Sequence, residues 1–200
     1  MSRRAKLKSI VTFDPIRRIG RRMHLKLIGL MSDQRGVSAV EFAMLLPLMM
    51  TMYLGTVEVS QGVAINRKVT ITARTLGDLV TQSTSVNTTD LANVMAASSA
   101  VMTPFPTATL TAKVSAVDID GAGAAKVAWS YALNTTARSK GSTVTVPAAL
   151  AVPNTELIWS EVSFHYTPTI GYVVTGSLNL SDQNYTRPRQ SSTVPCTNCP

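Results

Sequence analysis

The side chain whose type and setting most constrain chemistry is Glu41. It is the single charged residue among the 21 between Gly36 and Glu58, in the run RGVSAVEFAMLLPLMMTMYLGTVE. A carboxylate inside an apolar, membrane-length segment costs a few kcal/mol at the bilayer centre, less near the edge where Glu41 falls, and such acids usually face a partner. Its chemistry is therefore charge pairing in apolar surroundings; the bland alternative is an interfacial acid reaching back to water. The second reactive pair is Cys196 and Cys199, a C-x-x-C followed only by Pro200. A thioredoxin-like redox pair opens a helix inside a βαβ unit, so this pair reads as a small structural disulfide, and a zinc site would need two further ligands.

The remaining titratable residues give little support to catalysis. His24 sits in a basic leader and reads as a surface residue, and His165, in a strand, as a structural hydrogen-bonding residue. Asp118 and Asp120 flank Ile119 beside a glycine turn, far short of the oxygen ligands of a calcium loop. They read as solvated turn residues. There is no G-x-S-x-G, P-loop or dinucleotide-binding glycine pattern. The expectation is a protein without catalytic residues, cofactor or metal.

The element that positions Glu41 is a helix. About 20 mostly apolar residues cover a bilayer's ~30 Å hydrocarbon core, and the run after Gly36 meets that length. Charge then orients it. Residues 1–36 carry ten basic side chains against Asp14 and Asp33, while the rest of the chain has nine basic and nine acidic residues. All of the net charge of +8 thus belongs to the leader. Lys and Arg beside a span hold their side in the cytoplasm, which places the following region outside, where an oxidising compartment suits the C-x-x-C. A cleavable secretory signal fits poorly, because the leader is long and no small-x-small pair closes the apolar run. From Pro15 to Met31, Ile16, Ile19, Met23, Leu27 and Leu30 recur at helical spacing with basic residues mostly elsewhere on the wheel. This suits either an amphipathic helix on anionic lipid or a solvated leader. It lacks a nucleic-acid recognition motif, so no specific nucleic acid is expected.

The predicted order is a basic cytoplasmic leader (1–36), a transmembrane helix (37–57) kinked at Pro47, a helical extension (58–82), an extracytoplasmic α+β domain (83–180) and a polar C-terminal tail (181–200). In the extension, Val59, Val63, Asn66, Val69 or Thr70, Ala73, Leu76 and Val80 share a stripe. Thr89 or Asp90 caps a second helix with Leu91, Val94 and Met95 on its apolar side, ended by Pro104 and Pro106. The period then becomes two. Leu110, Ala112, Val114 and Ala116 alternate to one side, Gly121-Ala122-Gly123 makes a hairpin turn, and Ala125, Val127, Trp129, Tyr131 and Leu133 face one way. Val144 and Val146 mark a short strand. In Glu156–Tyr166, Ile158, Val162, Phe164 and Tyr166 oppose Leu157, Trp159, Glu161 and His165, and Gly171–Leu180 is the last strand expected. The fold class is α+β: a long N-terminal helix, one more helix, then a small antiparallel sheet of about four strands.

Gly36, Val37-Ser38-Ala39-Val40 and Glu41-Phe42 resemble the start of type IV prepilins, and Arg35, Gly36, Val40, Glu41, Phe42, Ala43 and Pro47 resemble more particularly the TadE-like proteins of the tight-adherence (Flp pilus) assembly system. The resemblance covers Arg35 to about Asp78. Phe42 stands where major pilins often carry tyrosine, and the chain is short for the large extra domain of TadG-type relatives. The resemblance implies cleavage by a prepilin peptidase behind Gly36, freeing an amine on Val37 that Glu41 of a neighbouring subunit can pair with. It implies a minor pseudopilin in the bacterial inner membrane with a periplasmic C-terminal domain. Its expected partners are other pilins and pseudopilins, the Tad secretion machinery, the peptidase and anionic lipids. The alternative is an uncleaved single-span envelope protein whose periplasmic domain binds a ligand or partner.

Overall fold

The computed structural model describes residues 35–168, 171 and 176–199. The leader, with its amphipathic pattern and His24, and most of the segment just before Leu178 lie outside the described residues. Two compact units are present, Met1–Thr51 and Met52–Pro200. Helix α1, Arg35–Thr81, is 47 residues long, supplies the described part of the first unit and continues into the second. The chain is α+β: after α1 come β1 (Val86–Asn87), α2 (Thr88–Val101), β2 (Leu110–Ile119), β3 (Ala125–Leu133), β4 (Thr143–Val144), β5 (Thr155–Tyr166), β6 (Leu178–Thr186) and β7 (Cys196–Thr197).

Among the described residues of the first unit α1 has no covered side. Large apolar residues around its whole circumference, among them Val40, Phe42, Met44, Leu45 and Met49, are exposed. It is the one helix, among the described residues, long and apolar enough to cross a membrane. Pro47 lies inside the helix, where it withholds one N–H from the i−4 ladder. Thr51 Oγ1, one turn later, donates to the carbonyls of Pro47 and Leu48, both at 2.8 Å.

In the second unit α1 becomes one-sided. Ile65, Val69, Ala73, Leu76 and Val80 are buried at three- and four-residue steps, with Glu58 on the same stripe. The lower half of the expected stripe is corrected: Val59 and Val63 are exposed. The buried line instead runs through Gly55, Glu58 and Ile65. The N-cap of α2 is Asn87, not Thr89 or Asp90; its side chain accepts from the N–H groups of Thr89 and Asp90, and Asp90 accepts in return from Asn87 N.

Five antiparallel strands form the sheet in the order β4-β3-β2-β5-β6. Leu110, Ala112, Val114 and Ala116 of β2 and Ile158, Val162, Phe164 and Tyr166 of β5 share one buried cluster with α1 and α2. The opposite face carries a smaller cluster of Val117, Ile119, Ala125, Leu157 and Trp159. Ala125 and Trp129 were expected on one face and are on opposite faces. The β2–β3 register steps from Ala116↔Trp129 to Val117↔Val127, leaving Ala128 as an extra residue. One extra residue in a ladder of period two reverses every side chain beyond it.

The last strand also differs. The expected Gly171–Leu180 meets β6, Leu178–Thr186, only at its end, residues 172–175 lying outside the described residues, and residues after 180 take part in the core. Val194 is fully buried; its carbonyl accepts from Trp129 Nε1 at 2.7 Å and its N–H donates to Glu156 Oε1 at 2.7 Å. β7 pairs in parallel with β1, and Arg189 N donates to Thr81 O. The polar composition of this segment conceals a single apolar plug held by backbone hydrogen bonds.

Candidate functional site

The sequence-predicted residues fall into separate units. Gly36, Val37, Glu41 and Pro47 belong to the first and the two cysteines to the second. At the start of α1, Val37 and Glu41 are four residues apart in continuous helix, on one face and about one turn, ~6 Å, apart along the axis. Both are exposed, and nothing lies within 4 Å of the position a Cβ on Gly36 would take. The carboxylate therefore projects from an apolar helix surface that no described residue covers. A helix apolar on all sides needs either lipid or other helices around it.

Cys196 and Cys199 form a disulfide, next to the β1–β7 pairing. His165 lies on β5, and its Nδ1 donates to Asn179 Oδ1 on β6 at 2.7 Å. Asp120 is a turn residue whose Oδ1 accepts from the N–H groups of Ala122 and Ala124. Asp118, by contrast, is not in the turn: it is on β2 directly opposite Glu156 of β5. Burial raises Glu156 from 4.5 to about 7; the Val194 N–H opposes the shift and the Asp118 carboxylate adds to it. In the sequence Asp118 reads as a turn residue and Glu156 as the start of a strand, because nothing short of the β2–β5 register brings them together.

A second cluster missed from sequence occupies the sheet face away from the helices. Arg138, from the loop after β3, grips Glu161 through both guanidinium nitrogens, Nη1 to Oε2 and, at 3.0 Å, Nη2 to Oε1. Its guanidinium lies 3.7 Å from the Trp159 ring centroid, and Trp159 stacks on Tyr185 at 5.3 Å. Burial, with Glu161 nearby, pushes the Tyr185 hydroxyl up while Arg138 opposes it. Beside this cluster is a polar groove of about 450 Å³ whose lining includes Thr111, Lys113, Thr135, Ser163 and Gln183. Its charged members are engaged in structure or spread along the strands. No group of three or more His, Cys, Asp or Glu is placed to hold a metal among the described residues.

No match is found among curated proteins or solved structures. Residues 36–76, from the glycine at the head of α1 to the buried Leu76, match the family model described as TadE-like protein. The matched segment, which holds the apolar span, Glu41 and most of the buried stripe, is similar to that family.

Proposed function

We propose that the protein is a minor pseudopilin acting in assembly of tight-adherence pili, processed behind Gly36 and packed through its first helix against neighbouring subunits. The observation that carries this reading is the uncovered apolar surface of α1 with one carboxylate one turn from Val37. The TadE-like match to residues 36–76 supports it by associating that segment with Tad pili. Cleavage would leave an amine on Val37. Pairing it with Glu41 of a neighbour would neutralise two charges that otherwise sit unsolvated in hydrocarbon. Pro47, with its missing N–H and the Thr51 hydroxyl bonded back at the same turn, supplies a local bend for that packing. The span crosses the inner membrane with its N-terminus in the cytoplasm, and residues beyond it form a periplasmic domain that contacts other pilus components.

Coexpression with a prepilin peptidase, followed by N-terminal sequencing, tests the processing step. A mature chain beginning at Val37, lost in Gly36→Ala, is the expected result; a protein that stays full length removes cleavage from the account. Glu41→Gln should leave cleavage intact and abolish incorporation or assembly. If assembly is unchanged, the pairing mechanism is wrong and an uncleaved anchor with an outer binding domain becomes the better reading.

A further inference from the structure

The geometry points to a membrane-contact face on the folded domain, formed by the Thr103–Pro106 loop and the facing side of α1, with Phe105 seated at the headgroup–acyl boundary of the bilayer that α1 leaves. This rests on the reading of the apolar run as a membrane span.

The depth of the face follows from how α1 lies along β5. Tyr166 Oη donates to Gln61 Oε1 at 3.4 Å, Ser160 Oγ donates to Ala73 O at 2.7 Å, and a Cβ on Gly77 would stand 3.0 Å from Thr186, which pairs with Ile158. Helix and strand thus run antiparallel, and the Tyr166 end of the sheet sits beside the Gln61 end of the helix. Gln61 is one turn, ~6 Å, past Val57, the last residue of the apolar run. That end of the domain therefore lies at the depth where the run ends.

The surface there is apolar. Phe105 lines a groove of about 330 Å³ with Tyr53, Val57, Gln61 and Ala64, and an adjoining groove of about 540 Å³ with Pro106 and Tyr166. The loop holds Phe105 in place: Lys68 Nζ donates to Val101 O at 2.9 Å and Thr103 O at 2.6 Å, and Phe105 N donates to Met102 O at 2.9 Å. Phe, like Trp and Leu, buries at the headgroup–acyl boundary from an interfacial surface, and the amphipathic rings of Tyr53 and Tyr166 in the two grooves favour the same depth. The opposite end of the sheet is one β2 length away, ten residues or ~33 Å, and carries Val152, whose backbone neighbours include the Asn154–Ile119 hydrogen bond.

The test is tryptophan quenching by acyl-brominated phosphatidylcholine in proteoliposomes of the full chain, with wild type supplying the background from Trp129 and Trp159. Met44→Trp reports the span, Val152→Trp the far end, Phe105→Trp the proposed face, and Ala108→Trp is an exposed neighbour of the loop for use if Phe105→Trp misfolds. Loss of most of the added emission at Met44 and at Phe105 or Ala108, with none at Val152, is the expected result. Quenching at Met44 alone overturns the contact face and leaves the span standing. No quenching at any position overturns both. A blue shift at Phe105→Trp that follows protein-to-lipid ratio, without bromolipid quenching, means that a second copy covers the face and also overturns the proposal.

Discussion

Gly77 and Gly62 lie on the same helix, and an added methyl group should move stability in opposite directions at the two positions. Replacing glycine by alanine inside a helix gains about 1 kcal/mol where the methyl has room. At Gly62 the nearest atom to the new Cβ is Tyr166 Cε1 at 4.0 Å, an ordinary contact, so the full gain is expected. At Gly77 the same methyl would stand 3.0 Å from Thr186 Oγ1, 3.1 Å from Ser160 Oγ and 3.4 Å from Asn184 Nδ2. Ser160 cannot give way cheaply, because its buried hydroxyl ties the sheet to α1 through Ala73 O. Overpacking of a tight contact costs ~1–3 kcal/mol, and weakening that hydrogen bond adds ~1 kcal/mol. The clash outweighs the helix gain, leaving Gly77→Ala destabilised by roughly 1–3 kcal/mol. For a unit of this size each kcal/mol moves Tm by about 2–4 °C. Thermal unfolding of the full chain in detergent micelles, followed by tryptophan emission, should place Gly62→Ala above wild type and Gly77→Ala below it. Equal gains at both positions would refute the close approach of α1 to β5 and β6.

Three further outcomes follow from the second unit. The native state holds the Glu156 proton up to about pH 7 whereas the unfolded carboxyl releases it near 4.5; stability contributed by this group is full below pH 4.5 and lost as pH rises through 7. Glu156→Gln, which keeps an acceptor for Val194 N, should flatten that part of the urea-midpoint profile, and an unchanged profile would show that Glu156 is not its source. Arg138→Ala removes both bonds to Glu161 and the cover of Trp159, costing ~1–3 kcal/mol with a change in tryptophan emission; Arg138→Lys should recover only part, since one ammonium cannot grip both oxygens. Replacing Cys196 and Cys199 together by serine should lower stability by ~2 kcal/mol, the chain-entropy value for so short a loop, and a reductant should reproduce the loss in wild type only.

What the sequence made legible is what depends on local period and composition. The apolar run, the upper stripe of Val69, Ala73, Leu76 and Val80, the alternation of β2 and β5, and the Gly121–Gly123 turn are all written in neighbouring residues. The bulge at Ala128 was not, since both neighbours of an inserted residue are apolar and alternation reads on unbroken. Nor was the role of Val194: one valine among serine, threonine and proline has no pattern, and its burial depends on Trp129 and Glu156, 65 and 38 residues away. The Asp118–Glu156 and Arg138–Glu161 pairs share that reason, being products of strand register and loop return.

The stitching of the C-terminal segment also sets an order of events. Ala73 meets Ser160 across 87 residues of chain, and Asp78 meets Arg189 across 111. Contacts this distant in sequence form late, after the entropy of closing large loops has been met. During synthesis α1 therefore emerges first and stays with its inward stripe bare while the whole sheet is still to come. An anchor already lodged in a bilayer would hold that stripe at the surface, beside its own incoming strands and away from those of other chains. With the span in a bilayer, folding of the domain would take place on the membrane rather than in bulk solution, completed only when Val194 arrives.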